Sequence, residues 1–83
     1  MLLSKLPLYK PASITTVETG PDAGVQPEIA NRLRGLGFYP GSEVIILHRA
    51  AMGGDPLALR IDGIKIGLSL ELARLVRVEP IDG

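Results

Sequence analysis

The sequence predicts a mainly β fold: a small closed barrel with a short helix inserted after strand one and a short helical turn before the last strand. Three observations predict it. Short apolar stretches rich in Val, Ile and Leu recur along the chain, as in the strands of small barrels. Tight-turn residues separate them, at Pro40-Gly41, Gly53-Gly54-Asp55 and Asp62-Gly63, where fixed or positive φ is needed. Between the first two strands, Ile29, Leu33 and Leu36 recur at i, i+4 and i+7, the stripe of an amphipathic helix. Periodicity alone does not separate this barrel from an OB-type one.

Each element follows from local chemistry. Residues 1–11 read as an N-terminal arm: Leu3 and Leu6 stand at helical spacing, and Pro7 and Pro11 bracket an extended piece. The two leucines are expected to dock on the barrel, as ordered termini require. Ala12 to Glu18 reads as strand one, and Gly20-Pro21-Asp22-Ala23-Gly24 as a loop. The helix starts at Pro27, which has no N–H to waste there, with Glu28 complementing the dipole. It stops at Gly37, which can take the left-handed conformation that closes a helix. Pro40 and Gly41 suit the two central positions of a tight turn.

Strand two, from Glu43 to Ala51, is apolar on both parities: Val44 and Ile46 on one, Ile45 and Leu47 on the other. Met52-Gly53-Gly54-Asp55 forms a hairpin loop. Strand three, Pro56 to Ile61, turns Leu57, Leu59 and Ile61 inward, with Ala58 and Arg60 outward. Asp62-Gly63 is a two-residue hairpin signal. Strand four sets Ile64, Ile66 and Leu68 against Lys65 and Gly67. Ser69 is placed to cap a helical turn from Leu70 to Arg74. Strand five runs from Leu75 to Glu79, and a tail is expected over 79–83.

Composition narrows the function. At 83 residues, one domain over 1–83 is expected, held by a small core. Hydrophobic residues make up 46% and charged residues 22%, which excludes a disordered chain. Nine basic and nine acidic residues cancel, so no broad basic footprint for nucleic acid exists. Cysteine is absent, which rules out disulfides and thiolate metal sites. No apolar run approaches the roughly 20 residues that span a bilayer, and the first residues lack the apolar centre of a signal peptide. A soluble cytoplasmic protein is expected.

Catalytic chemistry finds no foothold. His48 is the single histidine, and metal sites draw on several converging ligands. It is a weak metal candidate, better read as structural or surface. No Ser, Thr or Lys stands beside an identifiable base, and no carboxylate pair stands out. Gly53-Gly54-Asp55-Pro56 leads into a strand rather than a helix, so it is a turn and not a phosphate cradle. No enzyme and no cofactor are expected. Contact residues fit better: Leu8, Tyr9, Tyr39, Ile45 and Leu47, which the fold pattern leaves outside, and the cations Arg32 and Arg34. Ile45 and Leu47 have a second reading, as residues covered by the helix stripe. Arg32 and Arg34 have one as solvated partners of the helix dipole.

Arg32-Leu33-Arg34-Gly35-Leu36-Gly37, then Pro40-Gly41, Gly54-Asp55-Pro56, Ile66-Gly67-Leu68, Glu71-Leu72-Ala73 and Val76-Arg77-Val78 form an ordered set. The set resembles the FeoA domain of bacterial ferrous iron transport, from Ile14 to Val78. The family's Pro-Gly or Lys-Gly step before strand one is replaced here by Pro7-Leu8-Tyr9-Lys10-Pro11-Ala12. The resemblance implies an SH3-like barrel with Val44 and Ile46 inward. Turn chemistry makes Gly37, Pro40, Gly41, Gly54, Asp55 and Gly63 structural turn residues. The resemblance implies a non-enzymatic adaptor that binds the cytoplasmic portion of a FeoB-like membrane iron transporter and is thereby recruited to the inner membrane. Iron would be the transporter's cargo, so no ligand set is required here. Two alternatives stand: an SH3-like regulatory module related to the C-terminal domain of iron-dependent repressors, and a direct metal-ion binder. Open sheet edges would allow weak self-association.

Overall fold

The structure, a computed structural model, describes residues 1–17, 27–51 and 53–81. A 3-10 turn at Leu3–Lys5 is followed by β1 (Ala12–Val17), α1 (Pro27–Gly35), β2 (Glu43–Arg49), β3 (Leu57–Ile61), β4 (Ile64–Leu68), α2 (Leu70–Ala73) and β5 (Val76–Pro80). The strands form one antiparallel sheet in the order β4-β3-β2-β1-β5. Glu18 and the glycine-rich loop expected at 20–24 lie outside the described residues.

Alternation sorts the side chains. Val44 and Ile46 of β2 and Leu57, Leu59 and Ile61 of β3 are buried, joined by Ala12, Ile14, Leu68, Val76 and Val78 from the other strands. The inward residues of all strands therefore share one core. Leu3 and Leu6 are fully buried in the same cluster, so the arm is part of the core. Burial of each such side chain contributes about 2 kcal/mol.

The helix end closes as the glycine requires. Gly37 sits at φ 101°. Its N–H donates to the Arg34 carbonyl at 2.9 Å, and the Phe38 N–H to the Leu33 carbonyl at 3.0 Å. This is the paired closure of a Schellman motif, whose apolar contact joins the residue after the glycine to the helix. Leu33 and Phe38 are both fully buried. The expected stripe is thus uneven: Ile29 is half-buried and Leu36 is 37% exposed. Leu36 lies in the closing turn, where the chain has already left the helical path, and Phe38 takes over its share of the core.

Several element ends differ from expectation. β2 stops at Arg49, paired with Leu57 at the start of β3, so it has no partner residue beyond that point. The Ala50 carbonyl then accepts from Gly54 N–H at 3.1 Å and turns the chain into the loop. Pro56 precedes β3 rather than opening it. α2 ends at Ala73, with Arg74 as its cap. Leu75 belongs to the turn after it, and β5 instead runs on through Pro80, pairing Glu79 with Ser13 and Pro80 with Ala12. The segment 79–83 therefore does not begin as a tail. Ile64 is 66% exposed although its cross-strand partner Ile61 is buried, because it starts the edge strand β4, which has no neighbour on its outer side.

Two polar contacts tie distant segments together. The Asp55 carboxylate accepts from Leu70 N–H at 2.9 Å, beside the Ser69 hydroxyl that accepts from Leu72 N–H at 3.3 Å. Asp55 is thus more than a turn residue, since it satisfies a helix-end donor across the fold. The Arg49 guanidinium donates to the Leu6 carbonyl at 2.7 Å and holds the arm against β2.

Two substitutions test this account. Gly37→Ala should lower unfolding free energy in urea by about 1 kcal/mol, since an added Cβ would meet only ordinary contacts with Ile61 and the cost is backbone strain alone. Asp55→Ala should cost about 1 kcal/mol as the loss of a cap and speed amide exchange at Leu70. An unchanged Leu70 amide would show the cap to be idle.

Candidate interaction surface

The contact residues expected from sequence fall into two groups. The first lies where the arm meets β2. β1 pairs with β2 only at Ala12 and Ser13, opposite Val44 and Glu43. The arm continues the line, and Tyr9 N–H donates to the Ile46 carbonyl at 2.8 Å. Ile45 and Leu47 flank that contact and are half-buried. They are neither fully outside nor fully covered, because β2 has an apolar residue on both parities and only one face reaches the core. Leu8 is 43% exposed and Tyr9 67% exposed. Tyr9 also adopts φ 60°, a left-handed conformation that costs a residue with a Cβ about 1 kcal/mol. The backbone contact to Ile46 keeps it there, with the ring in solvent.

Ile45 also lines an open groove with Glu43, Val44, Arg60, Asp62 and Gly63. Within it, Asp62 Oδ1 accepts from Glu43 N–H at 2.9 Å. Asp62 at φ 47° and Gly63 at φ 86° form the tight hairpin turn between β3 and β4. That pair of positive φ values is what the Asp-Gly step was expected to supply.

The second group gathers at the end of α1. Arg32 and Arg34 are exposed, and Arg34 Nη1 donates to Asn31 Oδ1 at 3.2 Å. Tyr39 is 51% exposed in the turn that follows. Gly41, at φ 93°, completes that turn and donates to the Ile14 carbonyl at 2.7 Å. No hydrogen bond among the described residues joins this group to the first.

His48 is exposed on β2, opposite Ala58. Asp55, its nearest acid along the chain beyond the loop, is engaged with Leu70 N–H. Among the described residues no group of three or more His, Cys, Asp or Glu is placed to hold a metal ion. No helix among them is long and apolar enough to cross a membrane. Sequence reasoning missed Arg49 as the clasp of the arm, because donor and acceptor lie 43 residues apart.

A five-stranded antiparallel sheet with short helices defines a small mainly β domain. The FeoA domain model matches residues 1–80, and the chain belongs to that family. The family is one of accessory proteins of ferrous iron transport. An iron(II) transport protein A from Clostridium thermocellum is 36% identical, with a TM-score of 0.85 over 98% of this chain and 46% of that one. The chain thus spans just under half the length of that protein. Stenotrophomonas maltophilia FeoA, solved as a zinc complex, is described as a prokaryotic SH3 domain protein and a candidate ferrous iron transport activating factor. It is 36% identical, with a TM-score of 0.74 over 95% of this chain and 89% of that one. A manganese-dependent transcriptional repressor shares the fold alone, at 14% identity and a TM-score of 0.81 over 98% of this chain and 41% of that one. None of the curated proteins matches the chain. The mainly β, SH3-like architecture expected from sequence is the one found, although the sheet is not closed by pairing: β4 and β5 are its two edges.

Tyr9→Gly isolates the strain at the arm tip. Glycine is at ease at φ 60°, so unfolding free energy should stay level or rise by up to about 1 kcal/mol, although the largest exposed ring of the arm is lost. A marked loss of stability in a urea titration would show that the ring supports the fold.

Proposed function

We propose that this chain acts as an adaptor that binds the cytoplasmic portion of a FeoB-like iron transporter and shifts its conformational equilibrium. The observation that carries the reading is the Leu8-Tyr9 tip, an exposed apolar pair held out by a left-handed tyrosine. Family membership supplies the transport context. Binding of this kind works by preferring one state of the partner over another, so it calls for a presented surface rather than a pocket. Leu8, Tyr9, Ile45 and Leu47 form the proposed apolar centre. Arg32, Arg34 and Tyr39 form a second contact around the end of α1. Recruitment to the inner membrane follows from the partner, which places the chain in the cytoplasm.

The test is retention of the detergent-solubilised FeoB-type transporter of the same organism on the immobilised chain. The double variant Leu8→Asp, Tyr9→Asp should reduce retention at least about tenfold, as expected for apolar anchors at an interface centre, with its circular dichroism unchanged. Equal retention by the folded variant would remove the tip from the interface. No retention of the transporter by the unaltered chain would overturn the adaptor reading.

A further inference from the structure

The two edges of the sheet differ. The outer edge of β5 is covered by the start of the chain: Val78 N–H donates to the Met1 carbonyl at 2.8 Å, and Leu2 bridges to Arg77. The outer edge of β4 is bare. Its two-residue turn makes Ile61 and Ile64 a hydrogen-bonded pair, and alternation makes Leu59 and Ile66 another. The N–H and C=O groups of Lys65 and Gly67 therefore point away from β3. No hydrogen bond among the described residues uses them, and both residues are exposed.

The side chains beside this edge specify what fits it. Lys65 stands directly opposite Arg60, and both are exposed. Like charges facing each other across a strand pair repel, and neither has an ion pair among the described residues. Ile45 continues the same row on β2. The acids of the adjoining groove, Glu43 and Asp62, sit one step toward the turn, where Asp62 is engaged with Glu43 N–H. On the other face of β4, Ile64 is largely exposed and Ile66 half-buried.

We propose that the β4 edge receives an extended segment of another protein that alternates apolar and acidic residues and adds it as a further strand. An acidic residue opposite Lys65 would relieve the Arg60–Lys65 repulsion. Apolar residues on the other face would cover Ile64 and Ile66. The bare Gly67 leaves room for any side chain opposite it. A second copy of this chain fits less well. Antiparallel pairing of two β4 edges centred on Ile66 would bring both Arg60–Lys65 pairs onto one face. This site lies apart from the Leu8-Tyr9 tip and does not rest on the adaptor reading.

A capped hexapeptide of alternating valine and glutamate, titrated into the isotopically labelled chain, tests the proposal by NMR. The largest amide shifts are expected at Lys65 and Gly67, with hydrogen exchange slowed at both. Lys65→Glu should weaken the peptide about tenfold, attraction having become repulsion. N-methylating the peptide's glutamates, whose N–H groups would face Lys65 and Gly67, should abolish binding, while N-methylating its valines should spare it. The proposal fails if a valine–lysine peptide binds equally well, if glutamate methylation has no effect, or if the shifts centre on Tyr9 and Ile45. It also fails if nothing shifts at millimolar peptide. Protection of Lys65 and Gly67 that grows with protein concentration alone would give the edge to a second copy and overturn the acidic segment.

Discussion

The seating of the N-terminal arm is the contact on which the rest of the fold depends. A chain of 83 residues has little interior to spare. Five short strands curl around a core that is finished only when Leu3 and Leu6 enter it. The Arg49–Leu6 bond fixes where the arm lies, and the Met1–Val78 bond fixes where it begins. Between these two clasps the chain has no freedom to leave the sheet without opening apolar surface to water. Tyr9 inherits its position from the same arrangement: the arm must pass β2 before β1 can start, and the tyrosine sits on that passage.

What the sequence made legible was local. Gly37 announced the helix stop because only a residue without a Cβ takes that conformation cheaply, and the structure adds the Leu33–Phe38 contact that accompanies it. Asp62-Gly63 announced the hairpin, and Ser69 the cap of α2, for similarly short-range reasons. The inward sets of β2 and β3 followed from alternation. Long-range features stayed hidden. The reach of Asp55 to Leu70 and of Arg49 to Leu6 depends on how the sheet curls, which no window of neighbouring residues encodes. Ile64 shares the parity of buried Leu68 yet is exposed, which depends on β4 being an edge strand and so was not legible in the local pattern. The passage of Glu79 and Pro80 into β5 was missed because a proline reads as a stop, whereas here it pairs with Ala12 at the end of the strand.

The candidate surface was legible in kind more than in layout. Leu8, Tyr9 and Tyr39 are exposed, as the fold pattern led one to expect, and so are the cations Arg32 and Arg34. Their division into an arm-side and a helix-side group was not visible, since it follows from where the arm crosses β2. The bare edge of β4 was foreseen only as a general property of open sheets. Its chemistry emerges from cross-strand register, which sets Arg60 against Lys65.

Covering one sheet edge and leaving the other bare has a geometric corollary. A molecule with two unguarded rims can stack without limit, each addition exposing a fresh template. Here the start of the chain blocks one rim, so any head-to-head coupling through β4 would consume both vacant sides and halt at a closed pair. Coupling through β4 would thus end at a pair on this geometry, because Met1 and Leu2 already occupy part of the β5 rim.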